Sequence, residues 1–301
     1  MAERVVRRTA FLVILLLALS SALATSYPIV VKDELGGTLT LPRAPQRIVS
    51  MIPSDTETVC ALGACDRLVG VDSLSDWPES VASLPQLGNA NQPDLEALVA
   101  LKPDLVLTDE YSGLAPRLRA LGIPVYAGTP QTFEQALAFF GTVGRLLDRQ
   151  AQAAVLTGRV QGQVAAVAAK VAGSGPAGSD VSVFVELDPT PYSVGPGSYL
   201  GTLLAKAGGR TIVTASMGEY PQVDPEFVVR QDPQVVLLMD APYGQSVAGA
   251  EARPGWSGIR AVKDGRVVAL DLQQVDMLSR AGPRMGDAVV LLARLLHPGR
   301  F

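Results

Sequence analysis

The sequence is poor in residues that most often perform catalysis. Its 301 residues include one histidine, His297, near the C-terminus, and aromatic residues make up 5% of the chain. Nucleophilic mechanisms need a base within hydrogen-bond reach of the nucleophile, and this histidine is predicted to lie at the surface. No glycine-rich phosphate loop of the Walker type occurs. The composition therefore predicts a protein that is not an enzyme.

Cysteine is equally scarce. Cys60 and Cys65 are the two in the chain, and their spacing fits neither a redox pair nor a zinc knuckle. A disulfide would be compatible with an oxidising compartment, but we interpret them as two small residues buried in the core. Bare zinc or manganese is usually held by imidazole or thiolate groups, so we expect no metal site, and a metallic ligand should arrive already chelated.

Net charge and apolar runs indicate which partners the protein binds and where in the cell it is located. Charged residues make up 18% of the chain and the net charge is −4, which predicts no nucleic-acid partner. The one long apolar run, residues 10–19, follows three arginines and precedes small residues, as in a secretory signal peptide cleaved after Ala24. A permanent anchor is the alternative, but spanning a bilayer takes roughly 20 apolar residues. No cysteine lies near the cleavage point, so a lipid-modified N-terminus is not expected, and we predict localisation to the periplasm or another extracytoplasmic space.

The rest of the chain reads as alternating strands and helices. Residues 27–41 alternate polar and apolar side chains around Gly36-Gly37, which predicts a β-hairpin. Predicted strands then follow at residues 47–52, 68–71, 105–107 and 124–127, with helices at 54–63 and 113–121. Short apolar strands that alternate with helices indicate a parallel sheet covered on both faces.

Few helix breakers occur between residues 133 and 171, which predicts a helix at 133–147 and a second, long helix at 148–171. A second series follows, with strands at 181–186, 235–239 and 267–270 and helices at 198–207, 225–230 and 283–296. We therefore predict an α/β fold of two Rossmann-like lobes with mostly parallel sheets joined by a single long linker helix. The predicted domains are a signal peptide at 1–24, an N-terminal lobe at 25–147, the linker helix at 148–172 and a C-terminal lobe at 173–301.

An internal repeat supports two similar lobes. Residues 94–107 and 224–237 share Asp, Glu, Val, Pro, Val and Leu at the same spacing. Each copy predicts a short helix opened by an aspartate N-cap, ended before a proline and followed by a buried strand. Alternatively, any unit of a short helix followed by a strand converges on this pattern, and the two copies are then unrelated.

These features together carry a family resemblance. The segments are 45–57 (PQRIVSMIPSDTE), 62–63 (LG), 68–71 (LVGV), 75–78 (SDWP), the repeated units and 279–284 (SRAGPR). The chain resembles the periplasmic binding proteins with a helical backbone linker (class III), which serve ABC importers, and within them the vitamin B12-binding and ferric-siderophore- or haem-binding proteins. The resemblance covers nearly the whole mature chain.

The resemblance implies a monomer that binds a small-molecule chelate between its lobes and delivers it to an ABC transporter permease and ATPase complex in the inner membrane. Glu96 and Glu226 match the residues that dock on permease arginines, one from each lobe. Alternatively, each is a glutamate favoured in the first turn of a helix by the helix dipole.

Ligand contacts follow from the same resemblance. Tyr192 and Tyr220 match aromatic contact positions of B12-binding relatives, Arg280 matches an arginine of the ligand cleft, and Trp77 and Tyr111 are further candidates. Flat rings suit the face of a corrin or porphyrin. The alternative for each aromatic residue is an ordinary place in the core.

The sequence also departs from its relatives. Ala90 and Asp109 occupy positions where B12-binding relatives place tryptophans, and Asp109 and Glu110 would disfavour an anionic complex that Arg280 and Arg284 would favour. The leading ligand is a cobalamin-type corrinoid, and the second candidate is a ferric siderophore or haem. A secreted enzyme on the same lobes, like two-lobed metal-cluster proteins, would need more Cys or His ligands than this chain has.

Overall fold

The computed structural model describes residues 25–172 and 180–301. The first elements of the described residues are β1 (Ile29–Lys32) and β2 (Thr38–Leu41), which form an antiparallel hairpin, as predicted. Buried and exposed residues alternate along both strands, so one face packs on the protein. Gly36 has a φ of 72° in the connecting turn, a left-handed conformation that glycine adopts without strain.

The first parallel sheet follows the hairpin. Its strands are β3 (Ile48–Ser50), β4 (Leu68–Val71), β5 (Leu105–Thr108) and β6 (Val125–Ala127), in the order β4-β3-β5-β6. The helices along this segment are α1 (Pro53–Ala61), α2 (Leu95–Ala100) and α3 (Leu114–Ala120). Strands β3, β5 and β6 are buried at every position, which is why their sequences are continuous apolar runs rather than alternating ones.

Two helices then follow in succession. They are α4 (Phe133–Leu147) and α5 (Gln150–Ala172), and Asp148, with a φ of 57°, turns the chain between them. The described chain divides into two compact units, the first up to Thr129 plus Ala138–Thr157, the second Pro130–Leu137 plus Gly158–Phe301. Both helices therefore begin in one unit and end in the other. The predicted lobe boundaries at residues 147 and 172 stay a prediction.

The second unit repeats the architecture of the first. Its sheet contains β7 (Val181–Glu186), β8 (Gly209–Thr211), β9 (Val235–Leu238) and β10 (Val267–Ala269), all parallel, in the order β10-β9-β7-β8. Its helices are α6 (Tyr199–Lys206), α7 (Pro225–Gln231), α8 (Val247–Glu251), α9 (Arg260–Lys263), α10 (Leu272–Ser279) and α11 (Met285–Leu296). Short 3-10 turns lie at Cys65–Arg67, Glu79–Ser83, Ala215–Met217, Ala241–Tyr243 and Trp256–Gly258.

The two sheets have the same strand order. Numbering the strands of each sheet along the chain gives 2-1-3-4 in both, so the order reverses between the first and third strands. The repeat seen in the sequence forms α2 with β5 in one unit and α7 with β9 in the other, which is the third strand each time. The α/β class with two parallel sheets is therefore confirmed.

Three local expectations were wrong. Cys60 and Cys65 form a disulfide and are only partly buried, because the chain turns back after α1 and brings their Cα atoms to 4.0 Å. His297 is half-buried, with its Nε2 3.0 Å from the carbonyl oxygen of Ala207. Helix α1 begins at Pro53, one residue before the predicted start at 54, and ends at Ala61, before the predicted end at 63.

Candidate functional site

The carboxyl ends of the strands are where an open parallel sheet offers a site, above all where the strand order reverses. In the first unit the loops after β4 and β5 carry Trp77 and Tyr111, whose exposed fractions are 48% and 72%. Neither ring belongs to the buried core, so the ordinary core alternative fails for both. Their part in binding a ligand stays a prediction.

Acidic groups surround this edge of the first sheet. Asp55 and Asp72, which follow β3 and β4, are each 1% exposed. Burial raises the pKa of Asp55 well above its usual range, and the neighbouring charges of Asp72, Asp109 and Glu110 raise it further. Among the described residues, neither Asp55 oxygen has a hydrogen-bond partner of good geometry, although Ser54 lies near enough to oppose the rise. This edge is a poor place for an anionic ligand.

The two departures from the B12-binding relatives have structural roles. Ala90 is 8% exposed and packs in the apolar core under the sheet. Asp109 accepts hydrogen bonds from the backbone nitrogens of Tyr111, at 2.7 Å, and Ser112, and so shapes the loop that carries Tyr111. The first unit thus presents Trp77 and Tyr111 as its exposed rings at this edge, without rings at positions 90 and 109.

In the second unit the structure places Tyr192 and Tyr220 on neighbouring segments. Residues 191–195 run antiparallel to residues 219–223, with the nitrogen of Ser193 3.0 Å from the oxygen of Pro221 and the nitrogen of Val223 3.1 Å from the oxygen of Pro191. The exposed fractions of Tyr192 and Tyr220 are 42% and 52%. Partial burial, with the charge of Glu219, raises the pKa of Tyr220. Both rings are accessible for contact.

The turn that follows Tyr192 is held by a close contact with the first turn of α6. Ser198 caps α6: its hydroxyl donates to the oxygen of Gly195 at 2.7 Å and accepts from the nitrogen of Gly201 at 3.1 Å. A Cβ on Gly201 would lie 2.0 Å from the oxygen of Gly195. Only glycine fits there, and the close contact fixes the turn that follows Tyr192.

Arg280 comes directly after α10, and its side chain is 10% exposed. Its Nη2 lies 3.0 Å from Oδ2 of Asp276, one turn earlier, and its carbonyl oxygen accepts from the hydroxyl of Tyr199 at 3.1 Å. The guanidinium is therefore held in place and partly neutralised. Arg280 can still position a polar ligand group, but it adds little net positive charge to attract an anion.

A buried charged cluster lies where the strand order of the second sheet reverses. Glu186, which ends β7, is fully buried and binds Arg253 through both carboxylate oxygens, with Nη2 2.7 Å from Oε1. Arg253 also lies over the ring of Trp256, 4.6 Å from its centre. Asp240 follows β9 at 2% exposure, and burial together with the charge of Glu186 raises its pKa to about 6.

This cluster was not predicted from the sequence. The one available indication was a glutamate at the end of a predicted buried strand, since buried carboxylates are nearly always paired. Its partner, Arg253, lies in a segment to which no element had been assigned. Tyr243, 72% exposed and also following β9, was missed as well.

The two repeated glutamates occupy equivalent positions. Glu96 and Glu226 lie in the first turns of α2 and α7, are exposed, and follow N-caps formed by Asp94 and Asp224. Glu226 faces Arg230 at 3.7 Å across an exposed helix surface. Both carboxylates are accessible, and their docking role stays a prediction.

Two features of the described residues bear on metal binding and on membrane insertion. Within residues 25–172 and 180–301, no three His, Cys, Asp or Glu side chains are grouped so that they could hold a metal ion. Over the same residues, none of the helices combines the length and apolarity needed to cross a membrane.

Comparison with known proteins identifies the family. Residues 48–273 match the periplasmic binding protein family, and the chain therefore belongs to it. An uncharacterized ABC transporter substrate-binding lipoprotein of Bacillus subtilis (strain 168) is 29% identical over 283 residues, 91% of this chain and 87% of the relative. A cobalamin-binding protein of Halobacterium salinarum is 30% identical over 285 residues, 91% of this chain and 75% of the relative.

A solved structure has the same fold. The periplasmic heme-binding protein RhuT from Roseiflexus sp. RS-1, in its apo form, superposes with a TM-score of 0.70 at 26% identity. The match covers 84% of this chain and 98% of the other. The family groups binding proteins rather than enzymes.

Proposed function

We propose that this chain is the extracytoplasmic substrate-binding protein of an ABC importer, exported by its signal peptide, and that it captures a cobalamin-type corrinoid and delivers it to the permease and ATPase complex. The observation that carries the proposal is the pair of half-exposed rings, Tyr192 and Tyr220, on two hydrogen-bonded segments. The cobalamin-binding relative supports the choice of ligand.

The shape and the apolar faces of a corrin ring both favour contact with these aromatic rings. A corrin ring is large, flat and apolar on its faces, and rigid aromatic rings cover such a face at little cost in conformational entropy. Trp77 and Tyr111 offer two further exposed rings in the other unit. Arg280, already held by Asp276, suits the amide oxygens at the rim of a corrin better than a highly charged anion.

Delivery calls for a contact with the permease, and we assign it to Glu96 and Glu226. Each unit contributes one carboxylate from the same place in its repeated helix-to-strand element. Charge-assisted hydrogen bonds to permease arginines would need both carboxylates exposed, as they are.

Haem is the second candidate. The heme-binding structural relative supports it, and a tyrosine hydroxyl is one of the axial groups that can hold haem iron. A ferric siderophore belongs to the same alternative, although the charges of Asp72, Asp109 and Glu110 around Asp55 disfavour anionic complexes at this edge of the first unit.

Isothermal titration of the mature chain, residues 25–301, with cyanocobalamin tests the proposal, with haem and a ferric hydroxamate titrated separately. We expect cyanocobalamin to bind most tightly. Tyr192→Ala should weaken binding about tenfold, because losing a stacked ring costs roughly 1.4 kcal/mol. Tyr192→Phe, which keeps the ring, should bind nearly as well if stacking is what matters.

Val155→Ala is the control, since Val155 is an exposed apolar residue on α5, 73% exposed. It should leave binding unchanged. Tight binding of haem with no response to cyanocobalamin would replace the corrinoid by the second candidate, and in that case Tyr192→Phe should bind as poorly as Tyr192→Ala if the hydroxyl holds the iron.

A further inference from the structure

The first described residues are bound to the C-terminal end of helix α4. The backbone nitrogen of Thr25 donates to Oδ1 of Asp148 at 2.7 Å. The Thr25 hydroxyl donates to the carbonyl oxygen of Arg145 at 3.1 Å and accepts from the side chain of Gln150. Two residues on, the hydroxyl of Tyr27 donates to the oxygen of Leu146 at 2.9 Å. All of these groups belong to the first unit.

Cleavage after Ala24 would change the chemistry of this contact. Hydrolysis of the Ala24–Thr25 peptide bond adds the oxygen of water to the Ala24 carbonyl carbon, and the Thr25 nitrogen takes up protons to become an α-ammonium. One neutral N–H is thereby replaced by a cation with three donors, 2.7 Å from a carboxylate oxygen. Charge-assisted hydrogen bonds are roughly twice as strong as neutral ones.

We propose that the α-ammonium group created at Thr25 by removal of the signal peptide binds Asp148 as an ion pair, and that this site fixes the N-terminus of the mature protein. The inference rests on the predicted cleavage after Ala24, not on the identity of the ligand. The end of a helix also favours a cation, because its last carbonyl oxygens carry partial negative charge. Thr25 and Asp148 are both partly buried, so water screens the pair incompletely.

The neighbouring cations leave the carboxylate of Asp148 available. Nη1 of Arg67 donates to the oxygen of Leu147 at 2.9 Å, and Nη1 of Arg149 donates to the backbone oxygen of Asp148 at 3.0 Å. Tyr27 is a further titratable neighbour among the described residues, and its pKa is raised by burial and then by the charge of Asp148. An α-amine ordinarily changes its protonation near neutral pH, so its pKa can be measured under conditions that keep the protein folded.

The test begins with the mass of the protein secreted by cells, which should correspond to a chain starting at Thr25. The same chain, released from a fusion without extra residues, is then acetylated by trace reagent at a series of pH values to obtain the pKa of the α-amine. An ordinary α-amine has a pKa of roughly 7.7–8.0. We expect the α-amine of Thr25 to have a higher pKa than this. In Asp148→Asn its pKa should be about one unit lower than in the parent, because one pKa unit corresponds to a tenfold change in the affinity of the carboxylate for the ammonium.

Asn is suited to position 148, since it keeps an acceptor and tolerates the φ of 57°. Asp264→Asn, an exposed change of the same charge in the second unit, should leave the pKa of the α-amine at the parental value. A secreted chain that begins at another residue, or an α-amine whose pKa is the same in the parent and in Asp148→Asn, would overturn the proposal. Loss of cobalamin binding would not bear on it.

Discussion

Buried charges in the second unit are arranged so that their pairing depends on pH. Glu186 and Arg253 neutralise one another, while Asp240 lies beside Glu186 with no hydrogen-bond partner of good geometry for its oxygens among the described residues. Ionising Asp240 would put a second negative charge next to Glu186 in a place that water does not reach. A buried carboxyl group of this kind resists ionisation, which explains its pKa of about 6.

The pH dependence follows from the sign of that shift. The unfolded chain releases the Asp240 proton near pH 4 and the folded chain near pH 6, so this group lowers stability as pH rises between those values. Asp240→Asn removes the effect. Its unfolding free energy, from urea titrations at pH 4.5 to 7.5, should exceed that of the parent by about 2–3 kcal/mol at pH 7 and by about 1 kcal/mol or less at pH 4.5. A difference that does not vary with pH would contradict this, and Asp264→Asn, an exposed change, serves as the control.

The roles and partners of single residues were harder to predict from the sequence than its helices and strands. Tyr192 and Tyr220 could be proposed because flanking motifs resemble those of a family, and both are accessible. The pairing of Glu186 with Arg253 could not be predicted, because the two residues are far apart in the chain. They meet because the segment before Trp256 lies next to β7. Cys60 and Cys65 were assigned to the core, whereas a tight turn after α1 joins them in a disulfide.

At the scale of elements, a close approach between α6 and the turn before it decides how the Tyr192 segment is held. Gly201→Ala would put a Cβ 2.0 Å from the carbonyl oxygen of Gly195, a backbone atom that cannot move alone. We expect a loss of about 2 kcal/mol in unfolding free energy, typical of overpacking, and weaker ligand binding because the turn shifts.

Gly158→Ala is the matched change, also glycine to alanine within a helix. Nothing lies within 4 Å of a Cβ at Gly158, which is exposed on α5. It should gain about 0.5–1 kcal/mol, because alanine loses less backbone entropy in a helix. Thermal or urea unfolding of both variants checks the pair, and equal stabilities would show that the Gly195 contact carries no strain.

Regular elements were predictable where a helical period or an apolar run has clear boundaries in the sequence. Helix α4 and strands β4 and β7 begin and end at the predicted residues, because apolar runs bounded by breakers leave little choice. Strand β8, three residues containing Gly209, and helices α8 to α10 were not predicted. Their sequences are too short to show a period, and packing against their neighbours determines their conformation.

At the scale of the whole molecule, the repeated strand order explains why the sequence repeat was visible. The two copies form the third strand of each sheet together with its preceding helix, beside the place where the strand order reverses. Helices that connect parallel strands run opposite to them, so each helix begins at the carboxyl edge of its sheet. Glu96 and Glu226 therefore lie on equivalent edges of their own units, which local helix-dipole effects alone would not require.

Because Glu96 and Glu226 occupy equivalent positions, we predict that they share one role, docking on the permease. This role is separate from ligand binding. The double change Glu96→Gln with Glu226→Gln should leave cyanocobalamin affinity unchanged but reduce uptake by cells carrying the importer about tenfold or more, because carboxylate hydrogen bonds to permease arginines are lost. The exposed ion pair of Glu226 with Arg230 contributes at most about 1 kcal/mol, so folding should be unaffected. Glu79→Gln with Asp264→Asn, exposed carboxylates outside the repeat, removes the same charge from the two units. If this control lowers uptake as much as the double change does, net charge rather than docking at Glu96 and Glu226 governs delivery.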